Sequence, residues 1–394
     1  MTHDAIVVGG GPAGAVTALL LARAGWRVAV VEKARFPRRK LCGEFMSAGN
    51  AAVMAALGLG AAWQEAPGPE VTAVGLYWGE RVLAAPMPRG AAAPWGRVVG
   101  RTALDALLLA AAAEAGAEVI QPARAVALEA VPGGQECRVE AEGAARPLRA
   151  PVVVAAHGSW EPGGLPTQPV RAHGAADLLG FKAHLLGCAL PRGLMPLLLF
   201  PGGYGGMVQA DAARVSLSLC IRRDALAACR ARHGGAAGEA VLAHLRASCR
   251  GVREVTEGAA AERAWLAAGP IRPGFRPLAQ GRVFAVGNAA GEAHPIIAEG
   301  IGMAIQSAWL LAGELAPLRD RLDEDDTLAA AGRRYARAWR GAFAGRIRFA
   351  AALAAASAWP TAWFGPPVVA AAPWLLTLGA WLSGKAVLEG WGAE

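Results

Sequence analysis

The chain has 394 residues, 54% of them apolar and 18% charged, which is long enough for two packed domains and excludes a disordered, charge-rich chain. Its net charge of +8 suits nucleic acid, an anionic surface or an anionic ligand. No Lys/Arg run is interleaved with aromatics in the way single-strand binders need, so nucleic acid is not an expected partner.

Residues 4–32 read DAIVVGGGPAGAVTALLLARAGWRVAVVE. The apolar run leads straight into glycines, so no signal peptide is expected. AIVVG suits a buried parallel strand. Gly9-x-Gly11-x-x-Gly14 follows, then a helix closed by Gly25 and a second strand ending in Glu32. In a dinucleotide cradle the first glycine permits a tight turn, the second lets backbone approach a pyrophosphate and the third lets helix and strand pack closely. The diphosphate sits at the helix N-terminus, where the dipole favours anions. Gly9, Gly11, Pro12, Ala13 and Gly14 are therefore predicted cofactor contacts, with Lys33 and with Glu32 accepting from ribose hydroxyls. A carboxylate at 32 disfavours a 2′-phosphate, so NADP is not expected in this cradle.

RFPRRKLCGEFMSAGN comes next. Arg35, Arg38, Arg39 and Lys40 make it an anion-facing loop, with Arg39 a predicted cofactor contact. Residues 71–88 read as two strands about a Gly-Glu turn. Residues 181–223 read as antiparallel strands of a separate sheet, in which Phe181, His184, Phe200 and Tyr204 are candidates to line a chamber. The glycines of PGGYGG point to close backbone approach or a mobile turn. GRVFAVGNAAGEAHPIIAEGIGMAIQSAWLL, residues 281–311, gives a buried strand, a turn of small residues and an apolar helix. The cysteines (Cys42, Cys137, Cys188, Cys220, Cys229, Cys249) form no CxxC pair. Reduced thiols are expected, with neither a metal site nor a disulfide framework.

From Ala350 to Gly384 there is no charged residue, and Pro360, Pro366, Pro367 and Pro373 interrupt the stretch. No piece is an unbroken span of about 20 residues. Five of the 13 tryptophans fall between Trp359 and Trp391. With the basic helix RRYARAWRGAFAGRIRF before it, this tail reads as core packing, as a segment lying on a membrane, or as the lid of an apolar tunnel.

The run carrying Gly287-Asn288, Pro295, Gly300 and Ile301 resembles the FAD-dependent oxidoreductases with the para-hydroxybenzoate hydroxylase type of fold, a group that includes aromatic-ring monooxygenases and geranylgeranyl reductases. The resemblance implies FAD as the cofactor. It puts residue 288 on the ribitol chain and the start of the Gly300 helix at the N1/C2=O edge of the flavin, where a helix N-terminus favours negative charge. Asn288 stands where aspartate is usual; its amide keeps a hydrogen-bonding group and loses the charge. RVVGRTALDALLL is similar to the family's arginine at a helix start, which implies Arg101 near the phosphates or the ring. VVVAAHGS places His157-Gly158 where the family has Asp-Gly, a change that bears on nicotinamide use. KLCGE is similar to the Lys-x-Cys-Gly stretch of geranylgeranyl reductases and of flavoenzymes coded beside polyketide synthases, so Cys42 and Glu44 become candidate catalytic residues. His294 is a candidate acid or base near pH 7, and Tyr204 is the candidate pocket phenol. Glu292 and Glu299 share the His294 loop.

The expected fold is α/β: a Rossmann-like FAD-binding domain (1–75, 98–165 and 270–320), an antiparallel β-sheet substrate domain (76–97 and 166–269) and a C-terminal helical segment (321–394). The expected function is a monooxygenase of an apolar aromatic or polyketide-like small molecule, using FAD, dioxygen and NADH or NADPH. The alternative is a flavin-dependent reductase of isoprenoid or polyene double bonds, favoured by KLCGE, the apolar tail and His157. A third reading, from another class, is a non-catalytic flavin-binding partner protein. A halogenase is not expected, because the Trp-x-Trp-x-Ile-Pro motif is missing. The expected location is cytoplasmic, with peripheral membrane contact through the tail as the open alternative.

Overall fold

In the computed structural model the described residues are 3–358, apart from 67, 92, 160, 161 and 169–171, together with 369 and 371–383. Two sheets organise them. The first has six strands in the order Ala279–Gln280, Val283–Ala285, Val152–Ala155, Ala5–Val8, Val28–Val31 and Glu118–Ile120. All its pairings are parallel except the edge hairpin of residues 279–285. The central run AIVV is buried at every position, which is why it is apolar throughout rather than alternating. On one face lie the helices Pro12–Arg23, Arg101–Glu114 and Gly300–Leu315. A three-stranded antiparallel sheet, Arg124–Val131, Gly134–Ala141 and Ala144–Ala150, covers the other face through Cys137, Val139, Leu148 and Ala150.

The second sheet has eight strands. Leu178–Leu186, Arg214–Arg222, Gly203–Gln209 and Leu194–Phe200 form an antiparallel run, and Ala73–Trp78 with Arg81–Pro86 extends it. One pairing is parallel, Leu194–Phe200 against Ala73–Trp78, because the chain enters this sheet twice, from residue 73 and again from residue 178. The helices Arg223–His233, Ala237–Ser248 and Arg250–Val255 pack on its outer face. Its inner face looks toward the first sheet.

Two helices of the C-terminal segment are described. Asp325–Ala358 buries Tyr335, Trp339, Phe343, Ile347, Ala350 and Ala354. That four-residue rhythm keeps one face on the core, so the aromatic side of this helix packs inward. The nine-residue helix Trp374–Leu382 lies against the strands Ala73–Trp78 and Arg81–Pro86. Trp359, Pro360, Trp363, Pro366, Pro367 and Trp391 lie outside the described residues.

Candidate cofactor and substrate site

A cavity of about 1220 Å³ runs between the two sheets. Gly9, Gly11, Pro12, Ala13, Glu32 and Arg101 line one end, and Asn288, Pro295, Gly300 and Ile301 line another part of it. The wall on the side of the second sheet includes Tyr204, Cys220 and Met207, and the C-terminal segment adds Phe349, Leu353, Leu375 and Leu376.

The glycine turn is built for close approach. Gly9 has φ +109°, and a Cβ there would sit 2.6 Å from the Ala156 carbonyl oxygen. A Cβ on Gly14 would sit 1.8 Å from the Gly9 oxygen, so helix and turn pack backbone to backbone. No side chain caps the helix that starts at Pro12. Glu32 directly follows the strand Val28–Val31 and is buried. Its carboxylate accepts from the Gly10 N–H at 2.8 Å and from the Ala34 N–H at 2.9 Å, which holds the turn in shape.

Three cations crowd this end. Arg101 makes a bidentate pair with buried Asp105, at 2.6 and 2.8 Å. Burial opposes its charge, but Asp105 outweighs burial and holds the guanidinium above its usual range. Arg38 Nη2 lies 3.5 Å from the same carboxylate, and the Arg38 guanidinium stacks 4.6 Å from the centre of the Phe36 ring. Lys40 is pushed down to about 8 by burial and by the positive charges of Arg38, Lys33 and Arg101. Arg39 lines the cavity too, but its Nη2 donates to the Ala264 carbonyl at 3.2 Å. Of the two neighbours, Arg38 is therefore the cation held against the glycine turn.

Across the cavity Asn288 Nδ2 donates to Glu292 Oε1 at 2.9 Å, and Ser159 Oγ donates to Glu292 Oε2 at 2.7 Å. Arg276 donates to the Asn288 carbonyl at 2.9 Å and lies 3.5 Å from the Glu292 carboxylate. Lys33, beside the cradle, and Gly287, at the head of the Asn288 turn, also line the cavity. The Pro295–Ile297 turn leads into the helix from Gly300, whose first residues open onto the cavity. His157 is half-buried between the Gly158 carbonyl and the Thr167 hydroxyl, and desolvation pushes it down to about 4. A neutral imidazole stands there.

Cys42 and Glu44 fare differently from each other. Cys42 lines the cavity, its Sγ within 3.4 Å of the Glu44 N–H. Glu44 is buried at φ +63°, an uncommon conformation for a non-glycine residue. Its Oε1 lies 2.5 Å from Lys182 Nζ, and its Oε2 lies 2.8 Å from His184 Nε2. Ser218 Oγ donates to the Cys42 carbonyl at 2.9 Å. Lys182, His184 and Ser218 all belong to the second sheet, so this loop is clasped by the opposite domain. The Glu44 carboxylate is occupied by that clasp.

Tyr204 and His294 meet. The Tyr204 hydroxyl lies 3.0 Å from His294 Nδ1. Burial holds the phenol well above its ordinary pKa, reinforced by Cys220 and Glu292, and lowers His294 below its own. Phe181 and Phe200 do not line the cavity. They sit in the core under the outer helices, because alternate strand residues face opposite sides.

The family model described as the FAD binding domain matches residues 2–173. The chain has the fold of the FAD-dependent oxidoreductase superfamily. Solved structures that share its fold include a geranylgeranyl bacteriochlorophyll reductase-like protein from Thermoplasma acidophilum, with TM-score 0.74 and 18% identity over 99% of this chain and 94% of that one. The flavin-dependent brominase Bmp2, as a triple mutant, gives 0.74 and 18% over 99% and 96%. In sequence, menaquinone reductase of Mycobacterium tuberculosis is 34% identical over 125 residues, which is 32% of this chain and 30% of that protein. The 6-methylpretetramide 4-monooxygenase of Streptomyces rimosus is 48% identical over 56 residues, 14% of this chain and 13% of that protein. The chain thus spans under a third of the length of these curated relatives.

The residues of this chain fit FAD. The cradle leaves backbone room for a diphosphate, and Arg38, Lys40 and Arg101 line the same end, a positive charge that a bound anion would balance. Sequence reasoning missed Lys182 as the partner of Glu44. The signal was a lysine set among the apolar residues of FKAHLL, which in a sheet core calls for a buried counter-charge.

Proposed function

We propose that this protein is an FAD-dependent monooxygenase of an apolar aromatic or polyketide-like small molecule, with NADH or NADPH as the electron donor. The observation that carries the reading is the Tyr204–His294 pair set in an apolar chamber that also contains the dinucleotide cradle. Burial favours the neutral form of His294, and with its proton on Nε2 the ring accepts at Nδ1. A substrate hydroxyl placed against Tyr204 Oη hands its proton to that oxygen as Tyr204 passes its own to Nδ1. The aromatic ring becomes richer in electrons and easier to oxygenate. When bound, FAD supplies the two-electron redox chemistry, with dioxygen as co-substrate. The second sheet and the tail helix keep water out, and Cys42, in the loop that the Glu44 clasp fixes, lines the same chamber.

The test mixes FAD-loaded protein with NADH or NADPH and an alkylated phenol under air. Substrate-stimulated oxygen uptake and a product heavier by one oxygen are expected. Tyr204→Phe lowers turnover by about a hundredfold at unchanged FAD content.

A second reading is reduction of a double bond in an isoprenoid or polyene. It is favoured by the menaquinone reductase match, which covers more of this chain than the monooxygenase match does. Tyr204 Oη would then donate the proton to carbon. Alkene reduction under nitrogen, without oxygen uptake, selects this reading over the first.

A further inference from the structure

We propose that the helix Trp374–Leu382 seats the protein on an anionic lipid surface. This does not depend on which reaction the chamber runs. The helix is apolar on both faces. Leu375, Leu376, Gly379 and Ala380 look into the chamber. Trp374 (63% exposed), Leu378 (38%), Trp381 (56%) and Leu382 (46%) look outward, and their spacing puts them on one side. An all-round apolar helix is ordinarily buried; this one is buried on one side only.

Size, chemistry and charge favour lipid over protein as the covering partner. A nine-residue helix is about 13 Å long and about 10 Å wide, a strip on the order of 130 Å². A stable protein interface needs about 800 Å² on each partner. A bilayer sets no such minimum, and indole rings settle at its interface. The helix is too short to cross a membrane, so it lies in the surface. The strand it packs on carries exposed Arg81 at one end, beside exposed Glu80, whose charge Arg253 offsets at 3.4 Å, and exposed Arg89 follows the other end. Together with a net charge of +8, they favour anionic headgroups. The helix contributes no charge of its own to oppose insertion.

The full-length, FAD-loaded protein is centrifuged with vesicles of phosphatidylcholine and phosphatidylglycerol, and with phosphatidylcholine alone. It is expected to sediment with the mixed vesicles, with blue-shifted tryptophan emission, and less with the neutral ones. Trp374→Ser/Trp381→Ser is expected to lower partitioning at least about tenfold while flavin content and far-UV circular dichroism stay unchanged. If the double variant loses its flavin, Leu378→Ser alone gives the same reading. Failure to sediment overturns the proposal, as does binding that these variants leave unchanged. A dimer that the double variant splits, without vesicle binding, assigns the face to a second copy and also overturns it.

Discussion

Glu44 shows what one side chain does for the site. Burial raises its pKa, but the His184 hydrogen bond and the Lys182 charge win and hold it at about 2. Its folded value is thus lowered from the ordinary 4.5. The clasp's contribution is whole above about pH 4.5 and is lost as pH falls toward 2, on the order of 3 kcal/mol in all. Glu44→Gln should remove most of that pH dependence of the urea midpoint. It should also destabilise at pH 7 by about 3 kcal/mol, because Lys182 stays buried without a counter-charge. Adding Lys182→Met should recover much of the loss. Lys40 has the opposite sign: with its pKa depressed to about 8, it favours an anion below that pH. FAD affinity, measured by fluorescence quenching, should therefore weaken as pH rises through 8. Gly14→Ala should yield protein that purifies without colour, since its methyl would meet the Gly9 oxygen. At this scale the glycines were readable because their spacing states a backbone requirement. The choice of Arg38 over Arg39 was not, because adjacent residues in a loop carry no periodicity.

Among elements, the cradle strand, helix and second strand follow directly from an apolar run, three glycines and a terminal carboxylate. The inner strands of the second sheet were legible by their alternation, but which face met the site was not. That depends on what each sheet packs against, and Phe181 and Phe200 went to the helices instead. Residues 124–150 formed a three-stranded sheet that sequence reasoning did not single out, although PGG and EG mark both its turns. The helix Asp325–Ala358 turns its aromatic stripe inward. Trp339 makes edge contacts with Phe343 and Phe275, at centroid distances of 5.2 and 6.3 Å. Trp339→Ala should cost about 3–5 kcal/mol in chemical denaturation and loosen the Gly291–Glu292 segment it packs against.

For the whole molecule, the cavity is shared by both sheets, so a ligand that fills it binds only the assembled form. Removing FAD should lower the thermal midpoint by roughly 3 °C when the cofactor had been present at about a hundredfold its Kd. Scanning calorimetry with and without added FAD measures this. The chamber's walls are unequal. Two are sheets, and parting either would break ladders of backbone hydrogen bonds. The C-terminal segment closes the rest with Phe349 and Leu353 of the long helix and with the short helix at residues 374–382, which among the described residues is tied to the neighbouring strands by apolar contact and by the Thr377 hydroxyl, a donor to the Pro86 carbonyl. That short helix is the wall with the fewest ties among the described residues, so a disulfide pinning it to the neighbouring strand is expected to slow the exchange of flavin or substrate, followed by stopped-flow fluorescence, while leaving the interior as it was.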